Sequence, residues 1–139
     1  MNKWDKFYID FCCLVSELSV AKRLKVGAVI VRDNNIISYG YNGTPSGLDN
    51  CCEIESSDGT LHTKREVIHA EINAVSKAAK LGISTANSTL YCNICPCIEC
   101  AKLIIQSGIV KVIYKEDYRD TSGFELLLKS NIQVIKWQV

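Results

Sequence analysis

Trp4, Phe7, Tyr8, Phe11, Val15 and Leu18 recur at steps of three and four, so positions 3–19 are expected to form a helix with one buried apolar stripe. Cys12 and Cys13 ride on that helix. The period then shortens. Val26–Arg32 and Ile36–Gly40 are two β-branched runs separated by Asp33-Asn34-Asn35, which predicts a hairpin. Helical spacing returns over Val67–Lys80 and stops at Gly82. Ser88–Cys92 reads as a strand, Cys97–Ser107 as a helix ended by Gly108, and Ile109–Tyr114 as a strand. Phe124–Lys129 reads as a short helix and Ile132–Trp137 as the last strand. The order α-β-β-α-β-α-β-α-β predicts a three-layer α/β fold: a five-stranded mixed sheet with helices on both faces.

Positions 41–65 break the pattern. They are rich in Gly, Ser, Asn and Asp and exceed the ~12–15 residues at which structureless loops become uncommon. Because the segment leads directly into "VIHAEINAV", it is expected to shape a site.

Composition narrows the class. With 139 residues and 47% hydrophobic content, one domain over 1–139 can bury its own core. The eight cysteines raise the question of a secreted disulfide scaffold, but Met1-Asn2-Lys3-Trp4-Asp5-Lys6 lacks the apolar run of a signal peptide, which points to a reducing cytoplasm. No stretch approaches ~18 consecutive apolar residues, so no membrane span is expected. A net charge of +1 without a basic block gives little drive for binding long nucleic acids. A small-molecule substrate fits better.

The chemistry concentrates in "CNICPCIEC", residues 92–100, spaced C-x2-C-x-C-x2-C. Three readings stand: a local four-cysteine zinc knuckle, a redox CxxC, or part of a metal site completed elsewhere. The third is favoured. Pro96 is suited to start a helix, which places Cys97 and Cys100 one turn apart on one face, where the helix N-terminus stabilises thiolate. Cys92 and Cys95 would need the chain to fold back within three residues and are read as buried packing. Two thiolates leave zinc short of ligands, and His69, at another expected helix start 28 positions before Cys97, supplies the third. A lone histidine is ordinarily a hydrogen-bonded core or surface residue. Here it stands in His69-Ala70-Glu71, and H-x-E followed by P-C-x-x-C is the pattern of zinc deaminases. In that scheme the fourth position on the metal is left for water, and Glu71 is a proton shuttle rather than a ligand. Its bland alternative is a carboxylate serving the helix dipole.

"KVGAVIV", "GYNGTPSG", "HAEINAV", "PCIECAKLIIQSGI" and "VIYKEDYRD", in this order, resemble the deoxycytidylate deaminases of the cytidine deaminase superfamily over nearly the whole chain. The resemblance implies a cytidine-deaminase-like fold, catalytic Zn2+, and hydrolysis of dCMP to dUMP and ammonia that feeds dTMP synthesis. It also implies a homo-oligomer, often a hexamer, with dCTP as activator and dTTP as inhibitor, the effector accompanied by Mg2+. Carried over by position, His69, Cys97 and Cys100 are metal ligands and Glu71 the proton shuttle. Asn42, Arg23, Ala70, Tyr118 and Arg119 fall at substrate-binding positions: Asn42 at the sugar, Arg23 at the 5′-phosphate, Tyr118 and Arg119 near the substrate and effector pockets. Other readings remain for several. Asn42 in "YNG" suits a left-handed turn, Arg23 among Lys22 and Lys25 suits a solvated surface, and Lys80 suits either a subunit interface or an exposed helix face.

The chain also departs from its relatives. Many carry a second, structural zinc that uses a cysteine where this chain has Ala21; Cys51, Cys52 and His62 remain as candidate ligands, with Cys12 or Cys13 as candidate replacements for the missing one, and a second metal is not expected. Asn93 replaces a usual threonine, and Cys95 a commoner serine. Two rival functions stay open: a deaminase of another cytosine nucleotide or of a nucleic acid base, and a non-catalytic zinc-binding regulatory module. The intact Glu71 argues against the second.

Overall fold

The computed structural model describes residues 2–138. Its elements run α1 (Lys3–Ser16), β1 (Gly27–Arg32), β2 (Asn35–Tyr41), β3 (Glu53–Glu55), β4 (Leu61–Thr63), α2 (Ala70–Lys80), β5 (Thr89–Ile94), α3 (Ile98–Gln106), β6 (Lys111–Glu116), α4 (Ser122–Lys129) and β7 (Gln133–Lys136). The main sheet has the order β2-β1-β5-β6-β7. β1 is antiparallel to β2 and β5, whereas β5, β6 and β7 run parallel, so the sheet is mixed as the pattern predicts.

Side-chain alternation on the central strands divides the core into two layers. Val29, Val31, Tyr91 and Ile113 face Tyr8, Ile9, Cys12 and Val15 of α1. Ala28, Ile30, Leu90, Cys92, Val112 and Tyr114 point the other way and pack against α2, α3 and α4. β1, β5 and β6 are covered on both sides, which is why they read as continuous apolar runs.

Helix α1 is shorter than its pattern and turned relative to it. Asn2 caps it by accepting from Trp4 and Asp5 N–H at 2.9 and 3.0 Å. The buried arc is Asp5, Tyr8, Ile9, Cys12, Val15 and Ser16, while Trp4, Phe7 and Leu18 are 46%, 50% and 56% exposed. Contacts across the layer decide the rotation. Tyr91 donates to Asp5 Oδ1 at 2.7 Å, and Gly27 lets the helix backbone sit on β1 so closely that a Cβ there would collide with the Cys12 carbonyl. The aromatic positions share the three-and-four spacing of the buried ones, so periodicity alone could not separate the two arcs.

The β1–β2 hairpin turns on Asp33 and Asn34, both with positive φ (51° and 59°), and Asn35 already belongs to β2. The polar excursion at 41–65 is built as a second hairpin. β3 pairs antiparallel with β4, with Glu53 opposite Thr63. An isolated bridge between Gly43 and Ile68 then closes the segment and delivers the chain to α2. Three-residue strands are too short for an alternation to be read in sequence.

Pro96 lies one residue before the N-cap of α3 rather than in its first helical position, because Cys97 has extended geometry (φ −73°, ψ 172°) and the helix begins at Ile98. Gly123 of α4 packs on this turn so tightly that a Cβ would collide with the Pro96 carbonyl and crowd the Cys97 backbone. Among the described residues, no helix is long and apolar enough to cross a membrane, and all eight cysteines carry free thiols.

Candidate functional site

His69 is the N-cap of α2 and Cys97 the N-cap of α3, and neither side chain is spent on capping. Cys100 follows in the first turn of α3 and is buried. These three side chains converge. His69 Nδ1 lies 3.2 Å from Cys100 Sγ and 3.4 Å from Cys97 Sγ, and the three donor atoms fall within 4.8 Å of one another. Around a tetrahedral zinc, with Zn–S near 2.3 Å and Zn–N near 2.0–2.1 Å, a nitrogen and a sulfur would stand roughly 3.5 Å apart. The set therefore fits zinc in spacing and donor chemistry, with one position left over.

The protonation of the trio suits a cation. Cys97 is pushed down to about 4, chiefly by the hydrogen bond from the Cys100 thiol and further by His69. Cys100 is pushed up, because its proton bridges to Cys97 and because it is buried. Hydrogen bonding to Cys97 raises His69. A zinc ion would take the place of these shared protons. Cys92 and Cys95 behave differently: burial raises Cys92 well above the thiol range and pushes Cys95 up to about 12, so both remain neutral packing thiols. Both belong to the core against α2, α3 and α4. Among the described residues, Cys51, Cys52 and His62 form no second ligand cluster. Cys51 and Cys52 instead turn their thiols to the backbone carbonyls of Glu53 and Asn50.

Glu71 lies one residue into α2, is only 4% exposed, and stands outside the ligand triangle. Burial raises its pKa, opposed in part by its own backbone N–H and by His69. It opens onto a cavity of about 280 Å³ also lined by His69, Ala70, Cys97, Asn42, Arg23, Tyr118 and Arg119. The residues given by the resemblance to the catalytic zinc, the proton shuttle and the substrate thus line one space, except Cys100, which sits buried beneath it. Lys80 lines a separate cavity beside α2.

The far wall of the cavity is held by side-chain amides. Asn42 has no positive φ, so the left-handed-turn reading fails. Its Oδ1 accepts from Val26 N–H at 2.9 Å and its Nδ2 donates to the Leu24 carbonyl at 2.8 Å. Asn93 repeats the clip one residue along, with Gly27 N–H donating to Oδ1 at 2.9 Å and Nδ2 donating to Lys25 O at 3.0 Å. Together they fix the chain that carries Arg23. Glu53 and Thr63 also line the cavity and were not legible in sequence, since neither belongs to a motif and their strands carry no readable period.

Residues 2–116 match the cytidine and deoxycytidylate deaminase zinc-binding region. The chain is 39% identical over 139 residues to a deoxycytidylate deaminase of Saccharomyces cerevisiae, a match covering 94% of this chain but only 44% of the yeast protein. To the deoxycytidylate deaminase of phage T4 it is 32% identical, covering 94% of this chain and 93% of the phage protein. The crystal structure of a dCMP deaminase from cyanophage S-TIM5, in complex with dCMP and dUMP, superposes with a TM-score of 0.91 at 41% identity over 99% of both chains. The chain belongs to the cytidine and deoxycytidylate deaminase zinc-binding family.

Proposed function

We propose that the chain is a zinc-dependent hydrolytic deaminase converting dCMP to dUMP and ammonia, folded as a single deaminase domain over 1–139 and supplying dUMP for dTMP synthesis in the cytoplasm. One observation carries this reading: a buried carboxylate, Glu71, opens onto the same small cavity as a His/Cys/Cys triangle while standing outside that triangle. A structural metal site has no need of such a group. The dCMP and dUMP bound by the S-TIM5 relative support the same substrate and product here.

His69, Cys97 and Cys100 would hold the zinc. When bound, Zn2+ supplies Lewis-acid activation of the attacking water near neutral pH. Glu71 would take a proton from the attacking water and deliver it to the ring nitrogen beside the amino-bearing carbon, as the water oxygen bonds to that carbon. In the second half it takes the proton of the new hydroxyl on that carbon and passes it to the amino group, so that the C–N bond breaks, ammonia departs and the carbonyl of dUMP forms. Burial moves the Glu71 pKa up toward the pH at which it must both take and give a proton. Ala70 has no side chain beyond Cβ and leaves room for the pyrimidine ring. Asn42 keeps hydrogen-bonding capacity beyond its two backbone contacts for the sugar, and Arg23, with Tyr118 and Arg119, faces the phosphate end.

The effectors dCTP and dTTP, with Mg2+, are assigned to the second cavity of about 320 Å³, which Lys77 and Lys80 line together with Gly40, Gly43 and Thr44. Two lysines and a glycine-rich backbone suit a polyphosphate. Self-association is supported by α1, whose outer face carries exposed Trp4, Phe7 and Leu14, a stripe expected of a homo-oligomer such as a hexamer.

The direct test is ammonia release from dCMP, deoxycytidine, a 5-substituted dCMP and single-stranded DNA by the zinc-loaded protein, with and without dCTP. Turnover is expected on dCMP first. Zinc-loaded protein inert on every cytosine compound would replace this reading with a binding module, and preference for DNA or the 5-substituted nucleotide would move the substrate.

A further inference from the structure

Arg23 lies in a segment without regular secondary structure, between α1 and β1, yet its position is over-determined from a distant part of the chain. The buried Glu53 carboxylate on β3 accepts the backbone N–H groups of Lys22 and Arg23 on one oxygen, at 2.9 and 3.1 Å. Thr63 on β4 accepts from Arg23 Nη1 at 3.0 Å. Glu53 and Thr63 are direct cross-strand partners, so the two contacts arise from one rung of the β3–β4 hairpin.

We infer that this hairpin is a dedicated holder for Arg23, with Glu53 and Thr63 as positioning residues that set the preference for a 5′-phosphorylated substrate over the free nucleoside. This deepens the proposed function and rests on the assignment of Arg23 to the phosphate. The division between the two partners has a chemical logic. The carboxylate, which would cancel a guanidinium, is turned to backbone N–H groups. The guanidinium is aimed by a neutral hydroxyl, which orients it without compensating its charge. Among the described residues Arg23 enters no ion pair, so its charge remains for an anion. The holder also explains the placement of the 41–65 excursion: it returns to the cavity at Glu53 and again at Thr63 before the chain enters α2.

The experiment compares KM and kcat for dCMP and deoxycytidine in Thr63→Val, Thr63→Ser, Thr63→Asp and Arg23→Ala, with the melting temperature as a check on folding. Losing the hydroxyl partner of a charged group should raise KM for dCMP about tenfold in Thr63→Val, with a much smaller change in kcat and no change in KM for deoxycytidine. Thr63→Ser should restore the original KM, and Thr63→Asp should weaken dCMP binding further by neutralising Arg23. If Arg23→Ala raises KM for dCMP but Thr63→Val does not, or if Thr63→Val raises KM for both substrates alike, the holder is wrong and the phosphate assignment survives. If Arg23→Ala itself leaves the preference for dCMP intact, the phosphate assignment falls and the holder with it.

Discussion

On one wall of the cavity, His69, Glu71 and Cys97 sit at the starts of α2 and α3, with Cys100 buried beneath them; on the other, Arg23 hangs from a segment with no regular structure. The first wall derives its geometry from helix ends seated on a sheet. Gly40 meets the α2 backbone and Gly123 meets the Pro96–Cys97 turn at distances only glycine allows. The second wall derives its geometry from side chains that bind backbone: Asn42, Asn93 and Glu53 together hold Lys22 through Gly27. On the proposed assignment, the groups that move protons and bind metal stand at the ends of stiff elements, and Arg23, the group given to the phosphate, stands on irregular chain pinned by side chains.

The first wall should break all at once. Cys100→Ser removes one of the three proposed ligands, so bound zinc measured by elemental analysis should fall below stoichiometric and turnover should fall with it, by more than the roughly 10–100-fold expected for losing an outer-shell partner. Retained zinc with full turnover would mean that the triangle is not the site. Glu71→Gln sharpens the same comparison within the wall: zinc content should be unchanged while kcat falls by roughly 10²–10⁴, the span expected for a proton carrier. Loss of zinc in that variant would make Glu71 part of the ligand set. Gly123→Ala, outside the cavity lining, should push on the Cys97 turn and cost about 1–3 kcal/mol, read as weaker zinc retention against a chelator. The second wall should loosen gradually. Asn93→Ala leaves Gly27 N–H and Lys25 O without their partner and should lower stability by about 1–3 kcal/mol, with a few-fold rise in KM for dCMP and zinc content intact. Zinc loss in Asn93→Ala would show that the two walls are not independent.

The contrast also explains what could be read from sequence. His69, Cys97 and Cys100 were legible because metal chemistry restricts residue type and helix geometry restricts spacing, so few sequences place H-x-E and P-C-x-x-C this way by chance. The sheet was legible because β1, β5 and β6 are buried on both faces. The rotation of α1 was not, because Trp4, Phe7 and Leu18 are apolar yet lie on its outer side or beyond its end. The β3–β4 hairpin was hidden for a different reason: Glu53–Glu55 and Leu61–Thr63 are three-residue strands in a polar segment, and their pairing is fixed by contacts to Lys22 and Arg23 some 30 or more positions away. The family resemblance marks Asn42 as a sugar contact, but its grip on Leu24 and Val26 has no local sequence signal.

One ion is proposed to sit between two helix starts, held by His69 at the start of α2 with Cys97 and Cys100 at the start of α3. X-ray absorption at the zinc edge of the purified, zinc-loaded protein tests it most directly. Two sulfur neighbours at about 2.3 Å with nitrogen or oxygen neighbours at about 2.0–2.1 Å are expected. Four sulfur neighbours would place the metal wholly within residues 92–100 and contradict it.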